Sequence, residues 1–164
     1  GLPAPLPDVL GLALRWEQET GPAELLLATT GHGLVGRHLL RPARKWSPGF
    51  YGSLLPYEAN GRHVLLGALA REPALPADLE LLARAVRRRP ITLDLVVATE
   101  TGPWERFGEL VLTGPARSDG SEPIRFEPAR HPIAELPPAG AFQRMREPVY
   151  AAVQSVGRRG GVEQ

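Results

Sequence analysis

The sequence predicts an α+β fold: a mainly antiparallel β-barrel or strongly curved sheet, with one mid-chain helix and a C-terminal helix. Three observations carry this. Short apolar runs of strand length recur along the chain, and tight Gly-Pro turns separate several of them. One mid-chain segment repeats its apolar residues at 3/4 spacing, the period of a helix. The chain also carries 18 glycines and 18 prolines in 164 residues, which favours many turns over long helices.

The elements follow in order. Residues 9–16 (VLGLALRW) partly alternate and read as a strand. Thr20-Gly21-Pro22 is a turn signal, and residues 24–29 (ELLLAT) form a second short apolar run, so the two predict a hairpin. Residues 30–60 are rich in Gly, Pro and aromatics with weak periodicity, and read as loop with one short helix. Asn60-Gly61 introduces a strand over 62–69 (RHVLLGAL). Residues 76–89 read as the clearest helix: Leu79, Leu82, Ala83 and Val86 share a face, with Asp78 in the first turn. Arginines crowd its end, where cations suit the dipole, and Pro90 stops it. Residues 91–99 (ITLDLVVAT) and 104–113 (WERFGELVLT) are strands joined through Gly102-Pro103. Residues 124–127 suggest a short edge strand, 128–138 a Pro-rich connection, and 139–156 a last helix in which Pro148 sets a kink or a new start. One domain over 1–158 with a frayed tail over 159–164 is expected.

Composition narrows function. Nineteen basic against 18 acidic residues leave a formal charge of +1, which argues against a surface built to coat nucleic acid. With no cysteine, disulfides, Cys-ligated zinc, iron–sulfur clusters and a cysteine nucleophile are excluded. No apolar run approaches the ~20 residues of a membrane span. The first residues lack the charged and apolar regions of a signal peptide, so a cytoplasmic location is expected. The chain begins at Gly1 rather than Met, which reads as a processed form or fragment.

Four constellations could carry chemistry. Gly31-His32-Gly33-Leu34-Val35-Gly36 is a literal G-x-G-x-x-G after an apolar strand, the pattern of a dinucleotide-binding turn. Its context differs: Pro42 interrupts what should be a three-turn helix, and the preceding strand reads as hairpin-paired, so a loop is the plainer reading. His32, His38, His63 and His131 lack zinc-site spacing and read as surface or loop residues. No Gly-x-Ser-x-Gly marks a serine hydrolase. The arginines of 84–89 read as a solvated helix end. Finally, Arg146-x-x-x-Tyr150 can place a guanidinium one helical turn from a phenol. A nearby cation and a metal both favour phenolate, and a phenolate can be the axial ligand of haem iron.

The order of several segments resembles the haem catalases and their smaller catalase-like relatives, including short actinobacterial forms. Residues 8–21 (DVLGLALRWEQETG) resemble the family's D-P-R-G-F-A-x-K-F-Y-T-E-E-G hairpin, and Glu24-Leu25-Leu26 falls where it has D-L-V. Residues 107–112 (FGELVL) are similar to its V-G-K-L-V-L-N strand. Phe126-Glu127-Pro128 and Phe142-Gln143 resemble its F-x-P and M-L-Q pieces, and Arg146 with Tyr150 matches its R-x-x-x-Y. Residues 35–90 match poorly. The resemblance implies an antiparallel barrel holding haem b, with Tyr150 as axial ligand to the metal and Arg146 as its charge partner. It implies a peroxidase-like oxidoreductase acting on hydrogen peroxide or organic hydroperoxides. The family's distal histidine lies upstream of the hairpin, so a chain lacking that segment is expected. Leu10 stands at the family's hairpin arginine, and Leu27-Ala28-Thr29 at its G-N-N. Two other readings stand beside this one: a haem-free binding or scaffold module, and dinucleotide binding through Gly31, Gly33 and Gly36. Strand edges left open by an incomplete barrel would favour a homo-oligomer or association with the missing segment.

Overall fold

A computed structural model describes residues 6–114 and 125–139 of the chain. Its strands are β1 (Gly11–Gln18), β2 (Gly21–Thr29), β3 (Lys45–Gly52), β4 (Tyr57–Ala59), β5 (Arg62–Pro76), β6 (Ile91–Thr99) and β7 (Glu105–Leu112), with one helix, α1 (Leu79–Arg88). They form one antiparallel sheet of order β1-β2-β3-β5-β6-β7, with β4 paired to β5. The sheet curls as a half-barrel. Within the described residues β1 and β7 stay its two ends, so the barrel-or-curved-sheet expectation resolves to an open curled sheet.

Alternation decides which face is buried. Leu25 and Leu27 on β2, Tyr51 on β3, Leu66, Ala68 and Ala70 on β5, and Ile91 and Leu93 on β6 build the core with Val86 of α1. The register stacks them: Leu27 lies opposite Leu12, Tyr51 opposite Ala68, and Leu93 opposite both Ala70 and Leu110. Burying each large apolar side chain contributes about 1.5–3 kcal/mol, so these positions hold the sheet in register. The opposite face is partly buried too, through Leu65, Val96 and Ala98.

The β1–β2 hairpin is paired over its whole length, from Gly11↔Ala28 to Gln18↔Gly21. Its turn takes Gly21 at φ +108, a backbone state that glycine reaches without Cβ strain. Only Ala28↔Gly52 and Thr29↔Tyr51 join β2 to β3. The far end of the hairpin is therefore held by something else. That is the segment 125–139, which runs from the turn end of the hairpin to β4.

The mid-chain stretch read as loop holds β3, β4 and a three-residue 3-10 turn, Gly36–His38. Pro48, Gly49 and Gly52 hid β3. The ladder with β5 breaks at Lys45/Ser47 and Ser47/Gly49, and it is at such irregularities that a strand accommodates proline. β5 also runs on to Pro76, past the expected end near residue 69. α1 starts later than expected, because Asp78 is its cap rather than part of its first turn: Asp78 Oδ1 accepts from the Leu81 amide at 2.9 Å. Residues 125–127 form no strand, since their backbone is drawn to β2 rather than to a sheet edge. Ala139 is not helical, and the rest of the expected C-terminal helix lies outside the described residues.

Candidate functional site

Arg146 and Tyr150, the residues expected to hold haem, lie outside the described residues, as do Phe142 and Gln143. Two local constructions stand out among the described ones.

The first is the glycine segment. Gly31 N–H donates to Gly36 O at 3.0 Å, and Arg37 N–H to Gly33 O at 2.9 Å, so the segment closes on itself. A Cβ on Gly31 would lie 2.9 Å from the Gly36 Cα, whereas one on Gly33 would meet nothing within 4 Å. What Gly31 and Gly36 approach is each other. The chain then makes one 3-10 turn and leaves in extended conformation at Leu39, with no helix of several turns.

The ring so formed sets Arg37, which is 3% exposed. Its Nη1 donates to Thr99 O at 2.9 Å and to Gly102 O at 3.0 Å, stitching the loop to the β6–β7 turn. Its guanidinium sits 5.1 Å from the centre of the Trp104 ring, a cation–π contact. Trp104 Nε1 donates to His32 O at 2.8 Å, and the Trp104 ring meets Phe50 at 4.9 Å. The pattern G-x-G-x-x-G-R is thus a clamp covering the second face of the sheet. It leaves Leu34, Val35, Leu39 and Leu40 exposed to the outside.

The second construction is a buried carboxylate. Glu24 opens the apolar run of β2, yet it is 1% exposed. Its Oε2 accepts from the Glu127 amide, and its own amide donates to His131 O at 2.9 Å. Arg15 Nη1 lies 3.5 Å from Oε1, and His131 Nδ1 3.0 Å from the same oxygen. The imidazole is out of line for a hydrogen bond, so that contact is ionic when His131 is protonated. Gln18 completes the tie: its Nε2 donates to Pro132 O at 3.0 Å and its Oε1 accepts from the Ala134 amide at 3.3 Å. Further on, Glu58 N–H donates to Pro137 O, and Ala139 N–H to Pro56 O. The chain leading towards Arg146 and Tyr150 is therefore fixed at two points, on the hairpin and on β4.

The other histidines stay at the surface: His63 faces Glu100 at 3.4 Å, and His38 is exposed in the 3-10 turn. His131 was missed by sequence reasoning, because its partner is more than a hundred residues away. The one signal was Glu24 itself, a charge at the head of an apolar strand.

Two groups have displaced titrations. Burial pushes the Tyr51 phenol up, and its hydroxyl donates to Trp46 O at 2.7 Å. A hydrogen bond from Arg106 is the main cause that holds the Asp94 carboxyl below its usual range; desolvation opposes it, and a hydrogen bond from Arg71 adds to it. No described helix is long and apolar enough to cross a membrane. Among the described residues no group of three His, Asp or Glu is placed to hold a metal ion. Compared with known protein families, with curated proteins and with solved structures, the chain matches none.

Proposed function

We propose that this chain is a catalase-like haem-binding protein that acts on hydrogen peroxide or an organic hydroperoxide. The observation that carries the reading is the curled antiparallel sheet. Its β1–β2 hairpin and β7 strand fall on two of the segments whose sequences resemble the family. Of the chain's three tyrosines, Tyr51 and Tyr57 are buried at 2% and 3% exposure. Tyr51 is also committed as a neutral donor to Trp46 O. On the resemblance, Tyr150 would serve as axial ligand, with Arg146 favouring its ionised form. When bound, haem would supply the redox chemistry of peroxide. Titration of the full chain with hemin tests this. The expected result is one equivalent bound with a tyrosinate-type spectrum, lost in Tyr150→Phe and weakened in Arg146→Ala. A spectrum unchanged in Tyr150→Phe removes the assignment.

A second reading is a haem-free binding or scaffold module on the same sheet. The exposed apolar run Leu34, Val35, Leu39 and Leu40 favours it. Its sign is a chain that stays colourless in excess hemin. The dinucleotide reading gains nothing from the glycine segment, which spends its close approach on its own backbone.

A further inference from the structure

An open groove of about 420 Å³ lies where the end of the β5–β6 ladder meets the exit of α1. Leu69, Arg71 and Pro73 of β5, Arg89 and Pro90 after α1, and Thr92 and Asp94 of β6 line it. Its chemistry is two-sided. Leu69, Pro73 and Pro90 offer apolar surface. Among the described residues of the lining Asp94 is the acid, and it is held by two arginines at once: Arg71 Nε at 3.1 Å and Arg106 Nε at 2.8 Å. Arg106 also pairs with Glu109, on the far side of Asp94 from the groove. Arg71 gives Asp94 only its Nε, so its terminal nitrogens remain for another acceptor. Arg89 makes no side-chain hydrogen bond or ion pair among the described residues. An uncompensated guanidinium beside apolar surface recognises a planar anion with a non-polar body. The volume falls in the range of small-molecule sites.

We propose that this groove binds a small organic carboxylate with a compact apolar body. The guanidinium groups of Arg89 and Arg71 take the carboxylate, and Leu69, Pro73 and Pro90 take the body. Neither haem nor the residues proposed to hold it enter this argument.

The test is a titration of the full chain with benzoate, followed by amide NMR. Saturable shifts at Leu69 and Thr92 are expected. Arg89→Ala and Arg89→Gln should each weaken the apparent affinity about tenfold, as the loss of one charge-assisted pair does. Arg84→Ala, on α1 just before Arg89 and paired with Glu80, should change nothing. Benzyl alcohol and inorganic phosphate are the matched probes, each carrying half of the ligand chemistry, and both should bind more weakly than benzoate. The proposal is overturned by absence of saturable shifts with benzoate, by unchanged affinity in both Arg89 variants, or by equal binding of either matched probe.

Discussion

Replacing Glu24 with leucine should loosen one end of the sheet more than any surface charge change. The carboxylate is buried between β2 and the segment 125–139, and it faces the Glu127 amide, His131 and Arg15. Leucine has similar bulk, so it leaves little cavity. It removes the acceptor from the Glu127 amide, which costs about 1–3 kcal/mol when the donor cannot reach water. It also strands Arg15, and His131 when that ring is protonated, and removing one partner of a fully buried pair costs about 3–5 kcal/mol. Arg15 and His131 keep 37% and 29% side-chain exposure, so both can turn to solvent and the full penalty does not apply. The net expectation is about 2–3 kcal/mol, or a Tm lowered by about 4–12 °C in a chain of this size. Glu24→Gln keeps an acceptor for the Glu127 amide and loses only the charge, so it should cost about 1 kcal/mol. Urea melts give both values. Amide exchange at Arg130 and His131, whose N–H groups donate to Glu127 O, shows whether the loosening is local. A Glu24→Leu protein within about 0.5 kcal/mol of the parent, with unchanged exchange there, would refute the reasoning.

Other substitutions separate the remaining claims. Gly31→Ala drives a Cβ into the Gly36 backbone and should destabilise by about 1–3 kcal/mol, while Gly33→Ala, which meets nothing, should stay within about 0.5 kcal/mol; equal effects in thermal melts would contradict the clamp. Asp94 is held below its usual range, so its stabilising contribution is present above the unfolded-state value near ~4 and is lost as pH falls through the folded one. The Tm gap between the parent and Asp94→Asn should accordingly be constant near neutrality and close in acid; a gap that widens in acid counts against the pairing. Tyr51 is shifted up, so its contribution is full below an unfolded pKa of ~10 and declines above it. Tyr51→Phe should cost about 1 kcal/mol at neutral pH through the lost bond to Trp46 O, and should lose less stability than the parent between neutrality and strong alkali.

Local chemistry made much of the fold legible. The β1–β2 hairpin, the start of β5, β6, β7 and α1 declare themselves through runs bounded by Gly-Pro, Asn-Gly or a terminal Pro. Asn60 and Gly61 adopt positive φ, as an Asn-Gly hairpin turn requires. β3 escaped because Pro48 and its glycines read as breakers, and only pairing with β5 shows that the irregular ladder tolerates them. The end of β5 escaped for a related reason: Pro73 and Pro76 suggest a stop, yet Leu75 and Pro76 still face Ser47 and Lys45 of β3. The site was less legible. Glu24 and His131, or Arg37 and Trp104, meet through long-range closure, which no local period encodes. Even G-x-G-x-x-G was informative mainly through the Arg37 that follows it, whose role depends on carbonyls some sixty residues away.

The visible spectrum of the full chain purified from cells supplied with a haem precursor addresses the central claim most directly. Our account predicts a coloured protein with the charge-transfer bands of tyrosinate-ligated ferric haem, and a Tyr150→Phe variant that folds but emerges without them. A colourless parent that stays so with hemin in excess would contradict it.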